Sequence, residues 1–155
     1  MVKRLIEDYA NGSEKLRRSI HGLTTEEMSF KPGPEKWSIH EIIVHICDAE
    51  IVGVQRMKKV LAEDRPLLTG YNQDAWARSL GYSQQNAERA LQLFQLLREE
   101  MASVLQRVKD EEWGREGIHT EAGPLSLLQL LERYVNHVHD HLAQIERVKA
   151  AYAAR

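Results

Sequence analysis

The sequence predicts an all-α chain, a four-helix up-down bundle with long, partly irregular connections. Three observations predict it. Four segments carry apolar residues at the three- and four-residue spacing of one helix face. Two of these segments open on capping boxes. No segment shows the strict apolar and polar alternation of a half-buried strand. A chain of 155 residues, 43% hydrophobic and 28% charged, can bury one sizeable core and keep its surface wet.

The first helix is expected from about Val2 to His21, with Leu5, Tyr9, Leu16 and Ile20 on one face. Thr24 to Trp37 reads as a connector. It has a short turn at TTEEM and is stopped by Pro32, Gly33 and Pro34. Ser38 with Glu41 forms a capping box that opens the second helix. Its stripe is Ile39, Ile42, Ile43, Ile46, Ala49, Gly53, Met57 and Val60, and it ends before Pro66.

Arg65 to Tyr82 is irregular, with a short helix at NQDAWARSL, and Ser83 is expected to open the third helix. The stripe of that helix reads Ala87, Ala90, Phe94, Leu97, Met101, Val104 and Val108. Asp110 to Pro124 is a long connection with room for a small hairpin. Ser126 with Gln129 caps the fourth helix, whose stripe is Leu128, Leu131, Val135, Val138, Leu142 and Ile145, running to about Tyr152. No repeat or linker divides residues 1–155, so a single domain is expected.

Charge and composition exclude several classes. A formal net charge of -2 and the lack of a Lys/Arg run argue against a basic nucleic-acid face. No apolar run approaches the roughly 20 residues needed to span a bilayer. Glu7 and Asp8 stand where a signal peptide would be apolar, so no membrane partner and a cytoplasmic location are expected. The one cysteine, Cys47, forms no internal disulfide, which fits a reducing compartment.

Seven histidines are present, three of them in YVNHVHDHLAQI. His137 and His141, four apart, project from one side of a helix and can chelate one metal ion. His139 falls on the other flank. His45, in the second helix, also lies at the edge of its apolar stripe, about 100° from the stripe centre. Spacing leaves two readings of it open, a ligand or a structural histidine satisfied by hydrogen bonds. His40 is placed on the opposite flank and exposed, and His119 has nothing to fix it near the bundle.

KWSIHEIIVHICDAE, followed far along the chain by NHVHDHLAQIERV, resembles the DinB/YfiT-like superfamily. The matching residues are Trp37, Ser38, Glu41, His45, Asp48 and Glu50, the NQDAWA segment, and His137, His141, Gln144 and Ile145. The resemblance implies an antiparallel four-helix bundle holding one divalent transition metal, zinc or nickel, through His45, His137 and His141. It also implies a homodimer, with a hydrolase activity or the transfer of a low-molecular-weight thiol to a small-molecule substrate. The alternative is a non-catalytic, stress-related bundle that binds a metal or small ligand.

Three imidazoles leave a coordination position open, the arrangement of catalytic rather than structural zinc. Glu50, about 40° from its stripe centre, points inward. It is a candidate either to orient a ligand histidine or to make a structural hydrogen bond to a neighbouring helix. Asp48 is expected in solvent. Tyr134 lies on the ligand flank, as pocket lining or core. Trp37, Trp76 and Trp113 are expected as core or loop anchors, and Cys47 faces away from the histidines. Leu91, Leu93 and Leu105 are read as apolar surface left over for a dimer.

Overall fold

The computed structural model describes residues 1–155. The elements, in chain order, are α1 (Val2–Ala10), α2 (Gly12–Ile20), α3 (Thr25–Ser29), α4 (Ile39–Ala62), β1 (Leu67–Leu68), α5 (Gln73–Ser79), α6 (Ala87–Leu105), β2 (Glu116–His119), β3 (Gly123–Ser126) and α7 (Leu127–Ala153). Single 3-10 turns lie at Tyr82–Gln84 and Asp110–Glu112. The four helices of the bundle are the α1–α2 pair, α4, α6 and α7. The pair packs on α6 and α7, and α4 packs on the same two helices, so the pair faces α4 across the core. No helix is long and apolar enough to cross a membrane.

Local chemistry sets most helix boundaries. At the starts of α4 and α7 the hydroxyls of Ser38 and Ser126 accept from the backbone N–H of Glu41 and Gln129, whose side chains accept from the cap N–H in return. Each cap is worth about 1 kcal/mol. Thr24 and Glu27 make a third capping box at α3. The α4 stripe is buried along its whole length.

Three expectations are corrected. The first helix is broken at Asn11 into two nine-residue helices. Gly12 at the break is buried, and a Cβ there would stand 3.0 Å from Arg98 Nη1. The gap admits a guanidinium that a straight helix with a larger residue would meet head on. The third helix starts from Asn86, whose side-chain oxygen accepts from Arg89 N–H, not from Ser83, and it ends at Leu105, short of Val108. Its inward face is also rotated. Leu91, Phe94, Arg98, Met101 and Leu105 form the buried line, while Ala87, Ala90, Leu97 and Val104 are half-buried. An arginine in the middle of that line breaks the apolar pattern in the sequence and moves its apparent centre.

The expected hairpin is present as β2 and β3, paired antiparallel with Gly117 opposite Leu125. The third strand, β1, adds parallel to β2 with Leu67 opposite Ile118. Two residues long, β1 carries too few positions for an alternation to be read from sequence.

Two apolar clusters fill the bundle. One holds Ile39, Ile42, Ile43, Ile46, Leu91, Phe94, Val138 and Ile145. The other holds Val54, Met57, Val60, Met101, Leu105, Leu127, Leu131 and Val135. Where these clusters meet, α4, α6 and α7 also carry the polar side chains of Glu50, Arg98 and His137, with His45 and His141 within the span of the first cluster. The waist of the bundle thus carries a group of polar side chains among apolar ones. Such a group is tolerated only where its members find partners.

Candidate metal centre

At the waist, Glu50 and Arg98 are each 1% exposed. Arg98 Nε donates to Glu50 Oε1 at 2.6 Å, and Tyr9 O–H donates to Glu50 Oε2 at 2.6 Å. The other two guanidinium nitrogens donate to main-chain carbonyls, Nη1 to Tyr9 at 2.9 Å and Nη2 to Tyr134 at 2.8 Å. Burial, and then the neighbouring Glu50 charge, push the Tyr9 phenol far above its ordinary pKa, so it remains a donor. Glu50 therefore takes the structural role. It ties α1 and α6 to α4, and no hydrogen bond joins it to a histidine.

The structure brings His45, His137 and His141 together, with one nitrogen of each within 4.8 Å of the others. His45 is wholly buried on α4, and the other two are half-buried on α7. Nε2 of His137 lies 3.2 Å from Nε2 of His45 and 3.0 Å from Nε2 of His141. Tetrahedral ligands with metal–nitrogen bonds of about 2.0–2.1 Å stand roughly 3.3 Å apart, so this spacing fits a shared ion. His141 Nδ1 lies 2.7 Å from Gln144 Oε1. An amide oxygen only accepts, so Nδ1 carries the proton and Nε2 presents a lone pair. The His45 ring rests against Trp37, centroids 4.8 Å apart, and its Nδ1 is buried without a hydrogen-bond partner.

All three imidazoles are held neutral. Burial, and then the neighbouring histidines, lower His45 and His137 to about 3. Burial also lowers His141. Neutral imidazole is the form that coordinates a metal.

The same shifts set a pH dependence of stability. Below about 6.5 the unfolded chain binds protons that the folded one refuses, so stability is lost as pH falls from 6.5 toward 3. For metal-stripped protein at pH 5 the loss is on the order of 2 kcal/mol per fully buried histidine. Urea midpoints at pH 7.5 and 5 measure it. An equal fall in a variant lacking both His45 and His137 would assign the effect elsewhere.

Beside His137 the cluster borders a cavity of about 210 Å³, lined also by Tyr134, Arg56, Tyr71, Gln73 and His119. Tyr134 lies against α4 because position 53 is glycine: a Cβ there would stand 2.5 Å from the ring. His119, without a fixed place in the sequence reading, is buried on β2, and its Nδ1 accepts from the N–H groups of Glu121 and Ala122. In the sequence Arg56 stands on the His45 flank of its helix and Gln73 within the NQDAWA segment, neither with a role assigned, and Tyr71 is not singled out. They reach the cavity from α4 and from the start of α5, a meeting that the sheet makes and no local motif signals.

The remaining residues separate from the site. Asp48 is half-buried and accepts from Tyr82 O–H at 2.7 Å rather than lying in solvent. His40 is half-buried, not exposed, with Nε2 2.7 Å from the Gln85 carbonyl. His139 meets Asp8 at 3.2 Å on the outer flank of α7. Cys47 is buried and its thiol is pushed up to about 12 by burial, so it is an inert packing residue. Trp113 is buried in the core, and Trp76 packs on Tyr71.

A family model described as the DinB superfamily matches residues 9–145. Among curated proteins, one of Oceanobacillus iheyensis named "Putative metal-dependent hydrolase" is 25% identical over 141 residues, 91% of this chain and 79% of that protein. YfiT of Bacillus subtilis, with the same name, is 24% identical over 132 residues, 84% of this chain and 74% of that protein. The solved structure of YfiT, described as having an unusual four-helix bundle topology, superposes with a TM-score of 0.91 at 21% identity, covering 98% of this chain and 87% of that one. A mycothiol-dependent maleylpyruvate isomerase gives 0.72 at 13% identity, covering 92% of this chain and 60% of that one. At these identities the two structures establish the fold.

Proposed function

The chain belongs to the DinB superfamily, and from that membership we propose that it is a metal-dependent enzyme, a single-domain hydrolase or low-molecular-weight thiol transferase acting on a small molecule. The observation that carries the reading is the cluster of His45, His137 and His141 at the edge of a cavity. Three neutral nitrogens would hold one divalent transition ion, zinc or nickel, and leave part of its coordination sphere to an outside ligand. A bound ion of this kind acidifies a water or holds a substrate thiol as thiolate. The protein's part is to hold the rings. Gln144 fixes the His141 tautomer, burial keeps the His45 and His137 rings neutral, and Trp37 braces His45. The relatives named as metal-dependent hydrolases support the hydrolytic form. The shared fold of the mycothiol-dependent isomerase supports the thiol form.

One observation favours a second reading, a bundle that binds metal or a small ligand without turnover. No carboxylate hydrogen-bonds to the three rings, and the buried carboxylate of Glu50 is committed to Arg98 and Tyr9. The two readings are separated by screening metal-loaded protein against a panel of esters, and against biological thiols paired with electrophiles, beside His45→Ala. Turnover that vanishes in the variant is the expected result. Thiol binding without turnover, or inertness to every class with the ion still bound, would leave only the binding module.

The proposal includes a homodimer. Leu91 and Leu105 are core residues, each 1% exposed, so the apolar surface remaining on α6 is Leu93 with Leu96. A monomer mass by light scattering at micromolar concentration would remove the dimer.

A further inference from the structure

The cavity beside His137 carries donors that the fold itself does not use. Arg56 is gripped through two nitrogens: Nη1 donates to Tyr134 Oη at 3.1 Å and Nη2 to the Thr69 carbonyl at 2.7 Å. Its third, Nε, is buried with no partner, and the buried hydroxyl of Tyr71, with the Gln73 side chain near its oxygen, donates to no protein acceptor. Only three buried side-chain polar atoms in the chain are unpartnered, and two of them belong to residues lining this one cavity. Burial without a partner is costly for a donor, so such groups require an explanation. Both belong to side chains that line the same cavity, where an acceptor would meet donors that the fold leaves unused.

The surroundings fix the charge of that acceptor. No Asp or Glu lines the cavity, whereas Arg56 and Arg133 both do. Arg133, an exposed residue, forms no salt bridge within the chain. Because the Nδ1 of His119 accepts two backbone N–H groups, its Nε2 is the protonated nitrogen, a further donor on the lining. Burial first of all raises the Tyr71 phenol to about 12, which keeps it a donor at neutral pH. Leu125 and Leu130 supply an apolar wall. About 210 Å³ is below the range of drug-sized pockets and suits a compact molecule.

We propose that this cavity binds the carboxylate of a small organic acid, with Arg56 Nε–H and Tyr71 O–H donating to its oxygens and its body against Leu125 and Leu130. The substrate of the neighbouring three-histidine site is then an anion, anchored by its carboxylate. That last statement rests on the enzyme reading above. The carboxylate binding itself does not, because none of its donors is a histidine of the cluster.

The test uses metal-stripped protein titrated with benzoate, benzamide and inorganic phosphate, followed by calorimetry or by the NMR signals of Tyr71 and His119. Benzoate is expected to bind saturably. Benzamide, alike in shape but uncharged, is expected to bind at least about tenfold more weakly. Tyr71→Phe should weaken benzoate about tenfold while its melting temperature changes little, since the lost hydroxyl donates to no acceptor in the free protein. Arg56→Met should abolish benzoate binding. Equal affinity for benzoate and benzamide, a Tyr71→Phe variant that binds benzoate as tightly as the parent, or binding of phosphate alone would overturn the proposal. Metal content separates it from the metal reading. Both variants should keep the ion, and a parent protein that binds benzoate but no metal would sink the metal site and leave the carboxylate site standing.

Discussion

Replacing His137 and His141 together by alanine is expected to take bound divalent metal from about one ion per chain to nearly none. Two of the three nitrogens that converge at the bundle waist are lost, and His45 alone offers a single imidazole on a buried wall. His139→Ala is the control. It sits between the two on the same helix, but its ring meets Asp8 on the outer flank, so that variant should keep its ion. Elemental analysis of unstripped protein, with circular dichroism to show that each variant is folded, decides the matter. Equal metal in the double variant and the parent would end the assignment. Loss of metal in the His139 variant as well would show that the ion was held by surface histidines rather than by the waist.

The largest effect on stability is expected from Arg98→Met. It strips the partner from Glu50, which is 1% exposed, and leaves the main-chain carbonyls of Tyr9 and Tyr134 without the guanidinium they accept from. Removing one member of a buried ion pair costs about 3–5 kcal/mol. In a domain of this size that is a fall of roughly 10 °C or more in melting temperature. The double variant Arg98→Met/Glu50→Leu should recover a good part of it, because two matched apolar groups leave no uncompensated charge. Metal content per folded chain should stay at the parent level in both variants, since Glu50 and Arg98 hold helices rather than imidazoles. A loss under about 1 kcal/mol in Arg98→Met would contradict the network. A double variant no better than the single one would show that the carbonyl contacts, not the ion pair, are what matters.

The sequence by itself determined the helices that announce themselves locally. Ser38, Glu41, Ser126 and Gln129 fix two boundaries through bonds that span three residues. The unbroken α4 stripe fixes which side of that helix is inside. His137 and His141 are neighbours by helix geometry alone, four residues being close to one turn. The motif pair shared with the superfamily supplied His45, which spacing could not. What only the tertiary structure decided was everything carried by contacts between distant segments. Glu50 is a strut because Tyr9 and Arg98 reach it from 41 residues before and 48 residues after. The face of α6 was misplaced because a buried arginine looks polar in a pattern but behaves as core once its charge is matched. Leu91 and Leu105 changed from surface to interior with it. The cavity of Arg56, Tyr71 and His119 needed β1 beside β2, a parallel pairing across a long connection that no local periodicity encodes. Helix propensity, capping and stripe spacing act within a few residues. A buried charge pair or a cavity is a property of which surfaces meet, and that is settled only when the whole chain packs.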